Sequence, residues 1–157
     1  MVVLDRPADL REWIGKEIGA SQWLAIDQQR IDDFARISGD DHWIHVDVGR
    51  ARREMPDGRT IAHGFLTLSL IPYLVRSIYT ITHRGRGLNY GTNRIRFTSP
   101  VQVGDRVRLR QSIKAVERVE GDGREGATRV VSDCTIEIEG KPRPALLAEF
   151  LLLVYDE

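Results

Sequence analysis

Asp40 and His45 stand five residues apart in Ser38-Gly39-Asp40-Asp41-His42-Trp43-Ile44-His45, just after a helix-like run. A carboxylate and an imidazole so placed can hold one water between them and share its protons. Shortly afterwards Ile61-Ala62-His63-Gly64-Phe65 opens the most apolar segment of the chain. A backbone amide at Gly64, at a helix start, can face a developing negative charge. Together these groups suit the addition of water to an activated carbonyl compound, or its removal.

The elements that must position them follow from the pattern of side chains. Residues 7–14 suit a short helix with Leu10, Trp13 and Ile14 on one face, broken by Gly15 and Gly19. Gln22–Ile26 reads as a short strand. Asp27 is a fitting N-cap for a helix over 28–37 with Ile31, Phe34 and Ala35 as its apolar stripe, and Gly39 ends it. The Asp40–His45 segment is then a loop launched from a helix end. Asp47–Met55 suits another short helix, followed by a turn at Pro56-Asp57-Gly58. Residues 64–80 read as a central helix, apolar nearly all round and therefore surrounded by protein. Pro72 predicts either a kink near 68–72 or two shorter helices divided there.

The period then changes. Tyr90–Phe97, Arg106–Val116, Thr128–Glu139 and Leu146–Tyr155 read as four strands, with turn-rich connections at Val103-Gly104-Asp105 and Glu120–Gly126. Leu146–Val154 is apolar on both faces, as in a central strand or one at a subunit interface. A buried helix followed by antiparallel strands implies a sheet curling around that helix.

The chain has 157 residues, enough for one domain over residues 1–157 with a real core. Lys+Arg and Asp+Glu both number 23, which argues against a nucleic-acid partner. Arg94, Arg96, Arg106, Arg108 and Arg110 cluster on strands; a solvated strand face is the plainer reading and contact with an anionic ligand the sharper one. Cys134 is the only cysteine, so no intrachain disulfide can form, and it suits a small core position. Met1 to Arg11 carries early charges and no apolar leader-like run, and the stretch near Phe65–Val75 is too short for a membrane span. A cytoplasmic location is expected.

Ser38-Gly39-Asp40-x-x-x-x-His45, followed by His63-Gly64 opening an apolar helix, resembles the MaoC-like or (R)-specific enoyl-CoA hydratase family. Asn89-Tyr90-Gly91-Thr92-Asn93-Arg94-Ile95-Arg96-Phe97 and Pro100-Val101-x-Val103-Gly104-Asp105 add to the likeness. It runs from about residue 17 to the C-terminus. The resemblance implies an α+β hot-dog fold, an antiparallel sheet wrapped around a long central α-helix, and a homodimer with its sites near the subunit interface. It implies reversible hydration of a trans-2-enoyl-CoA to a (3R)-3-hydroxyacyl-CoA in fatty-acid metabolism. Asp40, His45 and Gly64 are the implied catalytic groups; His63, Tyr90, Gly91 and Asn93 are the implied substrate contacts. No metal or organic cofactor is expected, with CoA or an acyl carrier arriving as part of the substrate. The family's common Asn-Pro pair is replaced by His42-Trp43, which resembles the NodN-like branch. Pro72 stands where some members carry a serine.

Other readings of these residues remain. Asp40 can brace its own loop, His45 can be a satisfied buried histidine, and Gly64 can serve packing. His63 can support the helix start or line the site, and His42 and Trp43 can brace the loop. Asp40, Asp41, His42, His45, Asp47 and His63 are potential metal ligands without a recognised spacing. A hot-dog acyl-CoA thioesterase would typically use a carboxylate on the central helix, and residues 64–80 hold no Asp or Glu. A non-catalytic acyl-thioester-binding subunit would not need the Asp40/His45 pair.

Overall fold

The computed structural model describes residues 1–121, 123 and 126–156, so the middle of the Glu120–Gly126 connection lies outside the described residues. The chain forms strand β1 (Val2–Leu4), a 3-10 helix (Pro7–Trp13), β2 (Glu17–Ala20) and β3 (Leu24–Ala25). Helices α1 (Gln28–Ser38), α2 (Trp43–Val46), α3 (Val48–Glu54), α4 (Gly64–Ser69) and α5 (Ile71–Val75) follow. Strands β4 (Tyr79–Ile81), β5 (Gly87–Phe97), β6 (Arg106–Arg118), β7 (Ala127–Ile138) and β8 (Leu146–Tyr155) complete it.

The main sheet runs β2-β6-β7-β8-β5, with β3 also on β6, and its pairs are antiparallel. Its inner face is built by strand alternation: Val107, Leu109 and Ile113 on β6 and Val130, Cys134, Ile136 and Ile138 on β7 are all buried. Leu66 of α4, Ile71 and Leu74 of α5, and Leu70 between them pack into the same core. Each such buried Leu or Ile contributes about 1.5–3 kcal/mol. This is the expected α+β sheet around a central helix, with β8 as the two-faced strand held between β7 and β5.

The central helix differs from the expected 64–80. Of the two expected forms, the divided one is found: α4 stops at Ser69, and α5 starts at Ile71 with Pro72 in its first turn. Pro72 has no N–H to offer one turn back. The Leu70 N–H is shared between the carbonyls of Leu66 at 3.2 Å and Thr67 at 3.4 Å, a local tightening of the turn. Beyond Val75, Tyr79–Ile81 leaves the helix because it pairs in parallel with Val2–Leu4, a partner distant in sequence. The helix is also not wholly enclosed, since Phe65 and Tyr73 are exposed.

Three smaller expectations change. Leu10 is buried, but Ile14 lies outside the 3-10 helix and is exposed. The Gln22–Ile26 strand shrinks to Leu24–Ala25. His45 sits in the one-turn helix α2 rather than in a loop. On the outer face Arg106, Arg108 and Arg110 pair with Glu139, Glu137 and Glu17 across strands, so these three belong to a solvated face. Among the described residues, no helix is long and apolar enough to cross a membrane.

Candidate active site

The site is hung from the two ends of α1. At its start, Asp27 accepts from the Arg30 N–H at 2.9 Å, the expected cap. At its end, Gly39 takes the left-handed conformation (φ 77°) and its N–H reaches the Ala35 carbonyl. The Ser38 hydroxyl donates to the Phe34 carbonyl at 2.7 Å and accepts from the Asp40 N–H at 3.3 Å. The chain therefore leaves the helix in one direction, with the Asp40 side chain on an exposed corner.

His45 is buried and tied down on three sides. Its carbonyl accepts from the Gln28 amide at 2.8 Å, and Gln28 in turn accepts from the Thr60 hydroxyl at 2.6 Å. The Ile61 N–H donates to the Ile44 carbonyl, and the His45 Nδ1 lies 2.7 Å from the Ile61 carbonyl. A carbonyl only accepts, so Nδ1 carries the hydrogen and Nε2 is left with its lone pair in the neutral ring. Burial, with smaller contributions from His63 and His42, lowers the His45 pKa, while the Ile61 carbonyl and Asp40 oppose that shift. The ring is thus held as a neutral base. Trp43, next to it, lies 4.2 Å beneath the Arg50 guanidinium, which braces α2.

His63 is the residue before α4 and is almost fully buried. Its Nε2 donates to the Asp40 backbone carbonyl at 2.8 Å. Its ring stacks on His45, with centroids 3.7 Å apart and planes 23° apart, and Phe34 packs on it at 5.0 Å. His63 is therefore a positioning residue that fixes both the Asp40 corner and the His45 ring. Its Nδ1 is buried with no hydrogen-bond partner among the described residues.

One carboxylate oxygen of Asp40 and one ring nitrogen each of His45 and His63 lie within 4.8 Å of one another. That span fits a single water held between Asp40 and His45. It is also the set that could approach a metal ion. The His63 Nε2 is already engaged by a carbonyl, however, and two nearly parallel rings set their in-plane lone pairs side by side rather than toward one point.

Gly64 is the first residue of α4 and lines a cavity of about 280 Å³ together with His45, Thr67, Phe97 and Ser99. No described residue accepts from its N–H. A Cβ at this position would lie 2.9 Å from the Phe97 ring, so glycine is required here by contact. The Thr67 hydroxyl donates to the Gly64 carbonyl at 2.6 Å and fixes the first turn. Asp40 is not among the cavity's lining residues and reaches His45 from the exposed loop.

Thus Asp40, His45, His63 and Gly64 converge, whereas Tyr90, Gly91 and Asn93 do not. These three lie on the exposed β5, upstream of Phe97, and none lines the cavity of its own chain. The Asn93 amide donates to the Glu149 carboxylate. Sequence reasoning missed Gln28, Thr60 and Thr67. A polar residue in the first turn of a helix carries no local sign that it will clamp a residue seventeen positions away.

Comparison with known proteins places these residues in context. The MaoC like domain family matches residues 9–134. The chain is 41% identical over 152 residues to the 3-hydroxyacyl-thioester dehydratase Z of Mycobacterium tuberculosis, covering 97% of each chain. It is 43% identical over 150 residues to nodulation protein N of Rhizobium leguminosarum bv. viciae, covering 94% of this chain and 89% of the relative. Its fold matches the unliganded R-hydratase of Pseudomonas aeruginosa with a TM-score of 0.70 at 21% identity, covering 92% of this chain and 83% of that one.

Proposed function

This chain belongs to the MaoC-like domain family, and from that premise we propose that it is a hydro-lyase acting reversibly on trans-2-enoyl-CoA and (3R)-3-hydroxyacyl-CoA. The observation that carries the reading is the anchored His45. The Ile61 carbonyl holds its Nδ1–H, which leaves Nε2 unprotonated, and a ring nitrogen of His45 lies within 4.8 Å of an Asp40 carboxylate oxygen.

In the hydration direction a water held between Asp40 and His45 attacks C3 of the enoyl thioester. The pair takes the water's proton and supplies one to C2. Charge develops on the thioester oxygen, and the Gly64 N–H donates to it. Because α4 has only six residues before the break at Leu70, the argument rests on that single N–H more than on a helix dipole. Dehydration runs through the same groups in reverse. The thioesterase alternative finds no support on the central helix, which offers no carboxylate from Gly64 to Val75.

Neither a metal nor an organic cofactor enters this mechanism, so hydration should survive exhaustive chelation. The homodimer belongs to the same proposal, as does a cytoplasmic location, in keeping with the lone buried thiol of Cys134. Strand β5 supports the dimer: it is an edge strand, exposed along nearly all of its eleven residues. Antiparallel pairing with a second copy lays the strand end that carries Tyr90 beside the other copy's Phe97. Tyr90, Gly91 and Asn93 would then contact substrate across the interface.

The deciding experiment is an assay of trans-2-enoyl-CoA esters from short to long chain, with chiral analysis of the product. A (3R) product from at least one ester is expected. Hydrolysis to free CoA without hydration, or no turnover of any ester, would overturn the reading.

A further inference from the structure

Three residues with hydroxyls line the His45 cavity: Thr67, Thr98 and Ser99. Two of the hydroxyls are committed within the chain, Thr67 to the Gly64 carbonyl and Thr98 to the Pro144 carbonyl. The third is not. Neither the hydroxyl nor the N–H of Ser99 bonds to another described residue. Around it the Ile61 carbonyl takes the His45 Nδ1–H, and the Val101 carbonyl takes the Ala62 N–H.

The backbone that carries Ser99 is held on both sides. Before it, the Thr98 N–H donates to the Ala145 carbonyl at 2.8 Å. After it, the Val101 carbonyl accepts from the Ala62 N–H at 2.7 Å. Pro100 narrows the backbone choices of the residue that precedes it. Ser99 itself is half-buried. Only the hydroxyl rotor is left to move, and it turns to suit its partner. A donor fixed in this way needs little reorganisation when charge appears in front of it.

The reaction has a use for it. The thioester oxygen gains charge as water attacks C3, and the Gly64 N–H can satisfy only part of that oxygen's acceptor capacity. Asp40 does not line this cavity, so the attacking water belongs to the Asp40 side of His45. Ser99 and Gly64 share the wall that the thioester carbonyl must meet. We infer that Ser99 is a further catalytic residue, whose hydroxyl donates to the thioester oxygen beside the Gly64 N–H. The reaction assigned to it rests on the hydratase reading; the uncommitted hydroxyl and its place in the cavity do not.

The test joins kinetics to infrared spectroscopy. Ser99→Ala should lower kcat for enoyl-CoA hydration by about 10²-fold, as loss of one oxyanion donor does. KM should stay nearly constant, because the bond strengthens only as charge develops. Ser99→Thr keeps a hydroxyl and should recover most of the rate. Ser99→Cys keeps the volume, donates poorly and should fall between, which decides the matter if the alanine variant does not fold. The acid limb of the pH profile should not move in any of them, since serine does not titrate there. For the spectrum, trans-2-butenoyl-CoA isotope-labelled at its thioester carbonyl is bound to Asp40→Asn, which turns over slowly. Its C=O stretch should fall on binding and return part of the way when Ser99→Ala is added. That reading needs binding alone: a stretch that responds to Ser99 without turnover by the parent would count against the hydratase reading and not against the contact. A folded Ser99→Ala protein with the parent kcat, a loss confined to KM, or a stretch that ignores Ser99 would overturn the inference.

Discussion

His45 takes its role from the Ile61 carbonyl, which fixes the tautomer, and from the His63 ring, which fixes the plane. Asp40→Asn and His45→Gln should each lower kcat by about 10²–10⁴, the range for a positioned acid or base. The double variant should lose far less than the product of the two, because both groups act on one water. Near-normal turnover in either single variant removes the pair from the mechanism. The lowered pKa of His45 sets the pH profile: kcat/KM for hydration should fall on the acid side with an apparent pKa below the ordinary value of 6.5. Stability follows with the same sign. As pH falls below 6.5 the unfolded chain binds the proton first, so the contribution of neutral His45 is present above that value and is lost on descent through the folded pKa. His45→Gln should flatten this part of a stability-against-pH curve measured by denaturant unfolding. Asp40, His45 and Gly64 were legible as residues because their chemistry is carried by type and spacing. The work of His63 was less so, since its bond to the Asp40 carbonyl spans twenty-three positions that no local pattern records.

At the scale of elements, the contact between α4 and β5 decides what Gly64 can be changed to. Removing its N–H with Gly64→Pro should cost about 10²–10³ in kcat if that amide meets the oxyanion, and proline is tolerated at a first helical position. Gly64→Ala keeps the N–H, but its methyl meets the Phe97 ring at 2.9 Å, so alanine alone is not a mild change. The pair is best compared in a Phe97→Leu background, where a flexible side chain can yield. There the alanine variant should recover most of the parent kcat and the proline variant should not. Equal turnover of the two folded proteins would move the oxyanion donor elsewhere. The sequence made β5, β6, β7 and β8 legible within a few residues, because each is long: β6 and β7 alternate along most of their length, and β8 is a nearly continuous apolar run. The strands β1, β2 and β4 were missed: at three or four residues they hold no period, and β1 and β4 exist only as each other's partners. The break in the central helix was expected from Pro72, yet its end at Val75 was not, because the competing pull of β1 on Tyr79–Ile81 comes from the far end of the chain.

For the whole molecule, one chain leaves two features unexplained by itself: a long exposed edge at β5, and three expected substrate contacts that do not line their own cavity. A second copy paired edge to edge about a two-fold axis accounts for both, since an isologous contact presents the same strand from each side. An eleven-residue edge carrying exposed Leu88, Tyr90 and Phe97 is otherwise an open template for association. The protein should therefore show, by light scattering at micromolar concentration, twice the 17.9 kDa mass of the chain. Leu88→Lys puts a charge on the apolar edge that this contact would cover and should shift the equilibrium toward monomer. Because Leu88 faces solvent rather than the core in one chain, thermal unfolding of the monomeric form should remain cooperative. Its hydration rate should fall with the dimer fraction as protein is diluted. A wild-type mass near that of one chain with full turnover, or a monomeric Leu88→Lys protein as active as the parent, would show that one chain holds a complete site and that Tyr90, Gly91 and Asn93 have no part in it.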